Sequence, residues 1–437
     1  MNRILLHQIW NRRRRNIWIF LELLLAGYFL WMVIDPICVL TADQMIPRGY
    51  EQEGIYQLKL GAYEAEDGVY FHKDEDDEGT YARRYRQIVH ELVSCPEVSS
   101  VALGEGNSFP NCQGWNGVLL RALGDTVVVH AQSYSYYQVD NNDPVGVLGL
   151  KDALTGEALD LPPTFFQNDR QVALSERLAL RLFGTVRAVG RKILWHDSEH
   201  EVVGVFQNVK HFDAQQPYPL LLASQPMPRV NSYIVWTSLL FRLKPEVDER
   251  AFLERFEREV VPRLNQGNFY YKGIKSFADY SREATFEAGI TSKIRLSYTM
   301  ATFALICIFL GMFGVFWMHA EDRRSEIGIL RSLGASRATV VRHFFFEMWL
   351  LVTVAFVLVL LAVFHYVNTE GLGVMVETFR NDWTKPDPAF WQNHVWTRFA
   401  VVSAVTYVLL LCISFVAVCF PVCRALAVPP ADALHEE

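Results

Sequence analysis

The sequence predicts an α-helical membrane protein with four spanning helices and a large α+β domain inserted between helices 1 and 2. Three observations predict it: four apolar runs, each about as long as a bilayer is thick; an arginine bias that alternates between loops; and a mixed strand and helix texture in the longest interval. The runs are residues 17–40, 296–318, 344–367 and 399–421. At 1.5 Å of rise per residue, about 20 residues cross a hydrocarbon core of about 30 Å. The mean hydropathy of +0.10 averages these runs with a polar remainder.

Taken in order, residues 1–16 carry five Arg and no acid and read as a cytoplasmic amphipathic N-terminus. The run at 17–40 is longer than a signal core, contains Glu22 and is followed by no small-x-small cleavage pattern, so it reads as an uncleaved anchor. Residues 41–295 form the inserted domain on the outer side. Its strand-like runs are 54–60, 117–122, 126–132, 191–195, 201–206 and 232–239, and its helix-like runs are 80–94, 175–183 and 249–264. Turn signals at Asp143-Pro144, Pro162-Pro163 and residues 217–228 mark an inserted subdomain at about 141–229.

After the span at 296–318, residues 319–343 form a short loop in which residues 320–343 hold five Arg against three acids, which places it on the cytoplasmic side. The span at 344–367 leads to an outer loop, 368–398, of which residues 368–396 hold Arg380 and Lys385 against Glu370, Glu377, Asp382 and Asp387. The last span, 399–421, returns the tail, 422–437, to the cytoplasm.

The formal net charge of −7 averages a basic inner face with a more acidic outer one, and topology accounts for the basic residues without nucleic acid. Of seven cysteines, Cys307, Cys412 and Cys419 lie in spans and Cys38 and Cys423 near span ends. Cys95 and Cys112 belong to the outer domain, where an oxidising compartment would let them pair, though spacing does not show that they do.

Catalytic patterns are lacking in the sequence. The nearest approach to a phosphate-binding loop, GTVRAVGRK at 184–192, has its glycines one position too far apart and no hydroxyl after the lysine. No H-E-x-x-H or G-x-S-x-G occurs, and His196, His200 and His211 have no paired zinc spacing. The acidic run at 74–78 reads as a solvated loop tip, because adjacent like charges repel. The chain is therefore expected to hold no metal and no cofactor and to be no enzyme.

Glu22 and Glu347 lie inside apolar runs, where a charge is costly, and are functional candidates or residues that reach interfacial water or neighbouring arginines. The segment EDRRSEIGILRSLGA at 321–335 is too polar for a bilayer. As a helix it aligns Ile327, Leu330 and Leu333 or Gly334, with Arg323, Arg324, Glu326 and Arg331 on other faces. Such a stripe suits a groove on a partner protein or an interfacial helix that caps the bundle. Gly334 supplies a helix stop and Ser336 a cap for the third span.

EIGILRSLGA at 326–335, followed by Ser336 and Arg337, resembles the signature of FtsX/MacB-type permeases, the membrane subunits of type VII ABC systems. VPPADALHEE at 428–437 resembles that family's closing pattern, and QVALSERLALRLFG at 171–184 with GRKILWHDSEHEVVGVFQNV at 190–209 is similar to its periplasmic core. The resemblance implies a multi-pass protein of a bacterial inner membrane with both termini cytoplasmic. It implies docking of a separate cytoplasmic ABC ATPase on Glu326, Ile327, Gly328, Ile329, Leu330, Arg331, Leu333, Gly334 and Ala335, with ATP bound by that partner. It also implies a second permease subunit, identical or related, and mechanotransmission to the periplasmic domain for efflux of a peptide, antibiotic or other amphiphile with a periplasmic adaptor and an outer-membrane channel. Lipoprotein release, or FtsX-like regulation of a periplasmic hydrolase, are the alternatives within the same family, and an ATPase-independent membrane sensor is a further one.

Overall fold

The computed structural model describes residues 13–72, 79–112, 114, 116–228, 236–321, 329, 332, 334–370 and 394–427. They divide into two compact units, one holding long apolar helices and the other Asp43–Thr291. The acidic run at 74–78 lies outside the described residues.

Helix α1 (Arg13–Met45) precedes the inserted unit. That unit then runs β1 (Ile55–Ala62), α2 (Thr80–Val93), β2 (Val98–Glu105), β3 (Gly117–Ala122), β4 (Val129–Tyr137), α3 (Pro144–Leu148), β5 (Gln171–Ser175), α4 (Glu176–Phe183), β6 (Lys192–Trp195), β7 (Ser198–Phe206), β8 (Leu220–Gln225) and β9 (Thr237–Leu243). It ends with α5 (Glu249–Arg255), a π turn (Phe256–Val260), α6 (Val261–Leu264), β10 (Phe269–Ser276) and α7 (Phe277–Glu287). The strands form one sheet in the order β10-β1-β9-β2-β4-β3-β6-β7-β5-β8.

A further parallel pairing joins β8 to β4, from Gln132↔Leu220 to Tyr137↔Gln225. The strands β4-β3-β6-β7-β5-β8 therefore close on themselves into a six-stranded ring, which removes both exposed edges. Val118, Leu120, Ala131, Leu174, Leu178, Ile193, Val202 and Leu221 pack together as its core. The inserted part expected at 141–229 thus draws two of its six strands, β3 and β4, from upstream.

Strand periodicity explains the other layers. Along β9, Leu239, Phe241 and Leu243 join one core with α2, α5 and α6, whereas Leu240 joins another with Tyr134, Tyr136, Phe206 and Phe277. Helix α4 starts on Ser175, whose Oγ accepts from Leu178 N at 3.3 Å and from Leu220 N of β8 at 2.9 Å. Gly49 at φ +77° lies so close to the backbone that an added Cβ would sit 1.9 Å from Asn208 O.

In the other unit, α1 is joined by α8 (Ile290–Glu321), α9 (Arg337–Glu370) and α10 (Val395–Ala427). All four are long and apolar enough to cross a membrane. Ile19, Leu23, Ala26, Leu30 and Ile34 recur along α1 at helical spacing and bury against Val352, Ala355, Phe356 and Val359 of α9 and Val402 and Leu410 of α10. Gly27 permits the approach, since an added Cβ would lie 3.1 Å from Val359 Cγ2. Helix α8 is the least buried of the four.

Candidate functional site

The segment expected to dock an ATPase is only partly described. Glu326, Ile327, Gly328, Leu330, Arg331 and Leu333 lie outside the described residues. Ile329, half exposed, and Ser332 are helical, and Gly334 stands at φ +91°, a left-handed conformation that ends a helix without a Cβ penalty. Two residues on, Ser336 Oγ accepts from Thr339 N at 3.1 Å and caps the first turn of α9. A glycine in a left-handed conformation followed by a capping serine thus marks the start of α9.

Inside the helical unit the strongest polar contact joins Asp35 of α1 to Arg398 in the first turn of α10. Arg398 donates from Nε to Oδ1 at 2.7 Å and from Nη2 to Oδ2 at 2.5 Å. The two side chains are 13% and 3% exposed, so this is a bidentate pair withdrawn from water. Nearby, Trp31 Nε1 donates to Ser403 Oγ at 3.1 Å and its ring lies 6.1 Å from that of Phe399. These contacts tie the same two helices over two turns. The pair is not evident in the sequence, because Asp35 sits near the end of one apolar run and Arg398 just before another, where side chains are expected to reach water. Two opposite charges flanking runs on the same side of the membrane were the available signal.

Glu22 and Glu347 fall elsewhere. Glu22 is half-buried, about 20 Å along α1 from Asp35 at 1.5 Å per residue. Its Oε1 rests against Gly311 of α8, where an added Cβ would be 2.6 Å away. Glu347 is buried on α9. Between α9 and α10, Thr353 Oγ1 and Tyr407 Oη share a hydrogen bond of 2.9 Å.

In the inserted unit Cys95 and Cys112 are both buried free thiols in different cores, and the structure does not bring them together. Cys95 Sγ donates to Glu91 O at 3.3 Å and Cys112 Sγ to Gly114 O at 3.4 Å. Burial pushes the Cys112 thiol up to about 12. His211 is also fully enclosed: its Nε2 donates to Cys112 O at 2.9 Å, while Nδ1 faces Tyr134 Oη at 3.3 Å. Burial holds its pKa down at about 4, so the ring is neutral. Lys210 Nζ donates to Asp43 O at 2.5 Å and Asp213 O at 3.1 Å, and burial draws its pKa below the ordinary value. Among the described residues no group of three or more His, Cys, Asp or Glu is arranged to hold a metal ion.

Residues 298–428, which include three of the apolar helices and the polar segment between two of them, match the family of FtsX-like permease C-terminal domains. Over those residues the chain carries an FtsX-like permease domain, and it is similar to permeases of the FtsX/MacB type. Among curated relatives, the permease is 25% identical over 186 residues to the macrolide export ATP-binding/permease protein MacB of Campylobacter jejuni subsp. jejuni serotype O:23/36 (strain 81-176), covering 40% of this chain and 27% of that one. It is 24% identical over 197 residues to the protein of the same name from Escherichia coli, covering 43% and 29%. The permease thus spans under a third of the length of the curated relatives it matches. Among solved structures, the periplasmic region of MacB from Actinobacillus actinomycetemcomitans aligns at 11% identity and a TM-score of 0.32, covering 54% of this chain and 94% of that one. The extracellular domain of the noncanonic ABC-type transporter YknZ from Gram-positive bacteria aligns at 11% and 0.29, covering 50% and 100%. Structural likenesses this slight carry no conclusion.

Proposed function

We propose that this permease is the membrane subunit of an ABC transporter powered by a separate cytoplasmic ATPase that docks on residues 326–335. The observation that carries the reading is the family match over 298–428, a stretch that includes the charged segment between two apolar runs of the sequence. Two facts bear on the energy source. The curated relatives are named as joined ATP-binding and permease proteins, and this sequence has no Gly-x-x-x-x-Gly-Lys-Ser/Thr.

In this reading the protein sits in a bacterial inner membrane with both termini cytoplasmic and the α+β domain periplasmic, as the arginine distribution favours. It works as a dimer with an identical or related subunit and passes ATP-driven motion to the periplasmic domain by mechanotransmission. The relatives' names favour export of an amphiphile such as an antibiotic or peptide, aided by a periplasmic adaptor and an outer-membrane channel.

The test is copurification of ATPases encoded beside this protein, repeated with Ile327, Leu330 and Leu333 each changed to Asp. The triple variant should lose the ATPase while remaining in the membrane. Undiminished copurification overturns the docking segment, and no ATPase with the parent chain overturns the transporter reading.

A further inference from the structure

Four strands of the inserted unit end or begin at one level. Glu105 closes β2, Tyr137 closes β4, Gln225 closes β8 and Trp236 precedes β9. The pairs Glu105↔Thr237, Gly104↔Tyr136 and Tyr137↔Gln225 bring these ends together. With Asn107 and Asn116 they line a cavity of about 470 Å³. This is where the closed ring adjoins the rest of the sheet, since β4 belongs to both. Gly104 makes the junction tight: an added Cβ would lie 2.8 Å from Ser135 O and from Tyr136 Cδ1.

The chemistry of the lining is one-sided. The Glu105 carboxylate accepts from Asn116 Nδ2 at 2.8 Å and from Gln225 Nε2 at 2.7 Å. Both donors are neutral carboxamides, so they aim the carboxylate without neutralising it, and they leave about half of its four acceptor positions unused. Among the described residues, none that lines the cavity is Lys, Arg or His, and Glu105 forms no ion pair. At the rim, Gly106 N donates to Trp236 O at 2.6 Å, which fixes the backbone there, yet the indole is 75% exposed. A fixed anion in a cavity that an exposed Trp also lines repels anions and offers a neutral ligand only ordinary hydrogen bonds. A cation gains from both the carboxylate and the ring.

We propose that this cavity binds an organic cation, a protonated amine on an apolar body, with its charged head at Glu105 and its body against Trp236. The head can be that of a small amphiphile or a lysine side chain of a peptide, which share this chemistry. That the cation is the transported cargo rests on the transporter reading above; binding itself does not.

Titration calorimetry on the full chain in lipid nanodiscs tests the site, with phenethylammonium as the probe and phenethyl alcohol as its neutral counterpart. The ammonium should bind saturably and the alcohol about tenfold more weakly or worse. Glu105→Gln should weaken ammonium binding about tenfold, and Trp236→Ala about fivefold, the indole being exposed and dispensable for packing. Equal binding of the two probes overturns the proposal, as does unchanged affinity in Trp236→Ala, which decides alone if Glu105→Gln does not fold. An acetylated and amidated tripeptide with one central lysine separates the sources. Binding tighter than phenethylammonium identifies a peptide, weaker binding a small amphiphile, and either supports the site. Ammonium binding without ATPase copurification removes the transporter reading and keeps the site, whereas copurification without ammonium binding removes the site alone.

Discussion

Removing either partner of the Asp35–Arg398 pair strands a charge that is almost wholly withdrawn from solvent. Asp35→Leu or Arg398→Met should each destabilise the helical unit by about 3–5 kcal/mol, whereas the two together should recover most of that loss. Thermal unfolding of the detergent-solubilised chain, as a double-mutant cycle, reads the outcome. A double variant as unstable as the sum of the singles would show that the two residues act independently. His211 sets a pH dependence at the same scale. Its folded pKa of about 4 lies below the ordinary 6.5, so as pH falls through 6.5 the unfolded chain takes up a proton that the folded chain refuses until about 4. The stability it contributes is full above 6.5 and is lost between 6.5 and 4, by at most about 3 kcal/mol. His211→Gln should flatten the melting temperature across that window, and an unchanged slope would assign it to other groups.

Ser175 shows how one side chain can serve two elements, capping α4 and holding the backbone of β8 through a second hydrogen bond. Ser175→Ala should cost about 1–3 kcal/mol, more than an exposed cap, because the residue is fully buried and leaves two amides without an acceptor. Chemical denaturation of the full chain measures this. The ring also makes a fragment prediction: residues 116–228 carry all six of its strands and should show dispersed amide resonances, whereas 141–229 lack β3 and β4 and should remain unfolded. Legibility in the sequence follows the same physics. The four spans were plain because length and hydropathy suffice, and β3, β6 and α2 were plain because alternation or helical spacing is undisturbed. Strands β5 and β8, QVALS and LLLASQ, were not read as strands, since both lie in the ring and their short apolar runs carry no period-two alternation. Strand β4 was placed too early because its C-terminal half serves two cores and reads simply as aromatic and polar. At the candidate site, the Gly334 stop and Ser336 cap were legible from residue type alone. The Asp35–Arg398 pair was not, because its partners are 363 positions apart and only packing of α1 on α10 brings them together.

For the whole molecule, the arginine bias makes a topological statement that labelling can check. With the native cysteines replaced by serine, Thr126→Cys in the exposed β3–β4 turn should react with a membrane-impermeant maleimide in cells with a permeabilised outer membrane. Ser332→Cys should react only once the inner membrane is opened as well, and the opposite pattern would invert the orientation. The same turn has another use. Because it joins two antiparallel neighbours of a closed ring, its ends stay at hydrogen-bonding distance whatever is threaded between them. Gly124, at φ +87° with open space around it, is therefore the place to splice in a fluorescent reporter and follow the permease in a living cell without breaking a ladder.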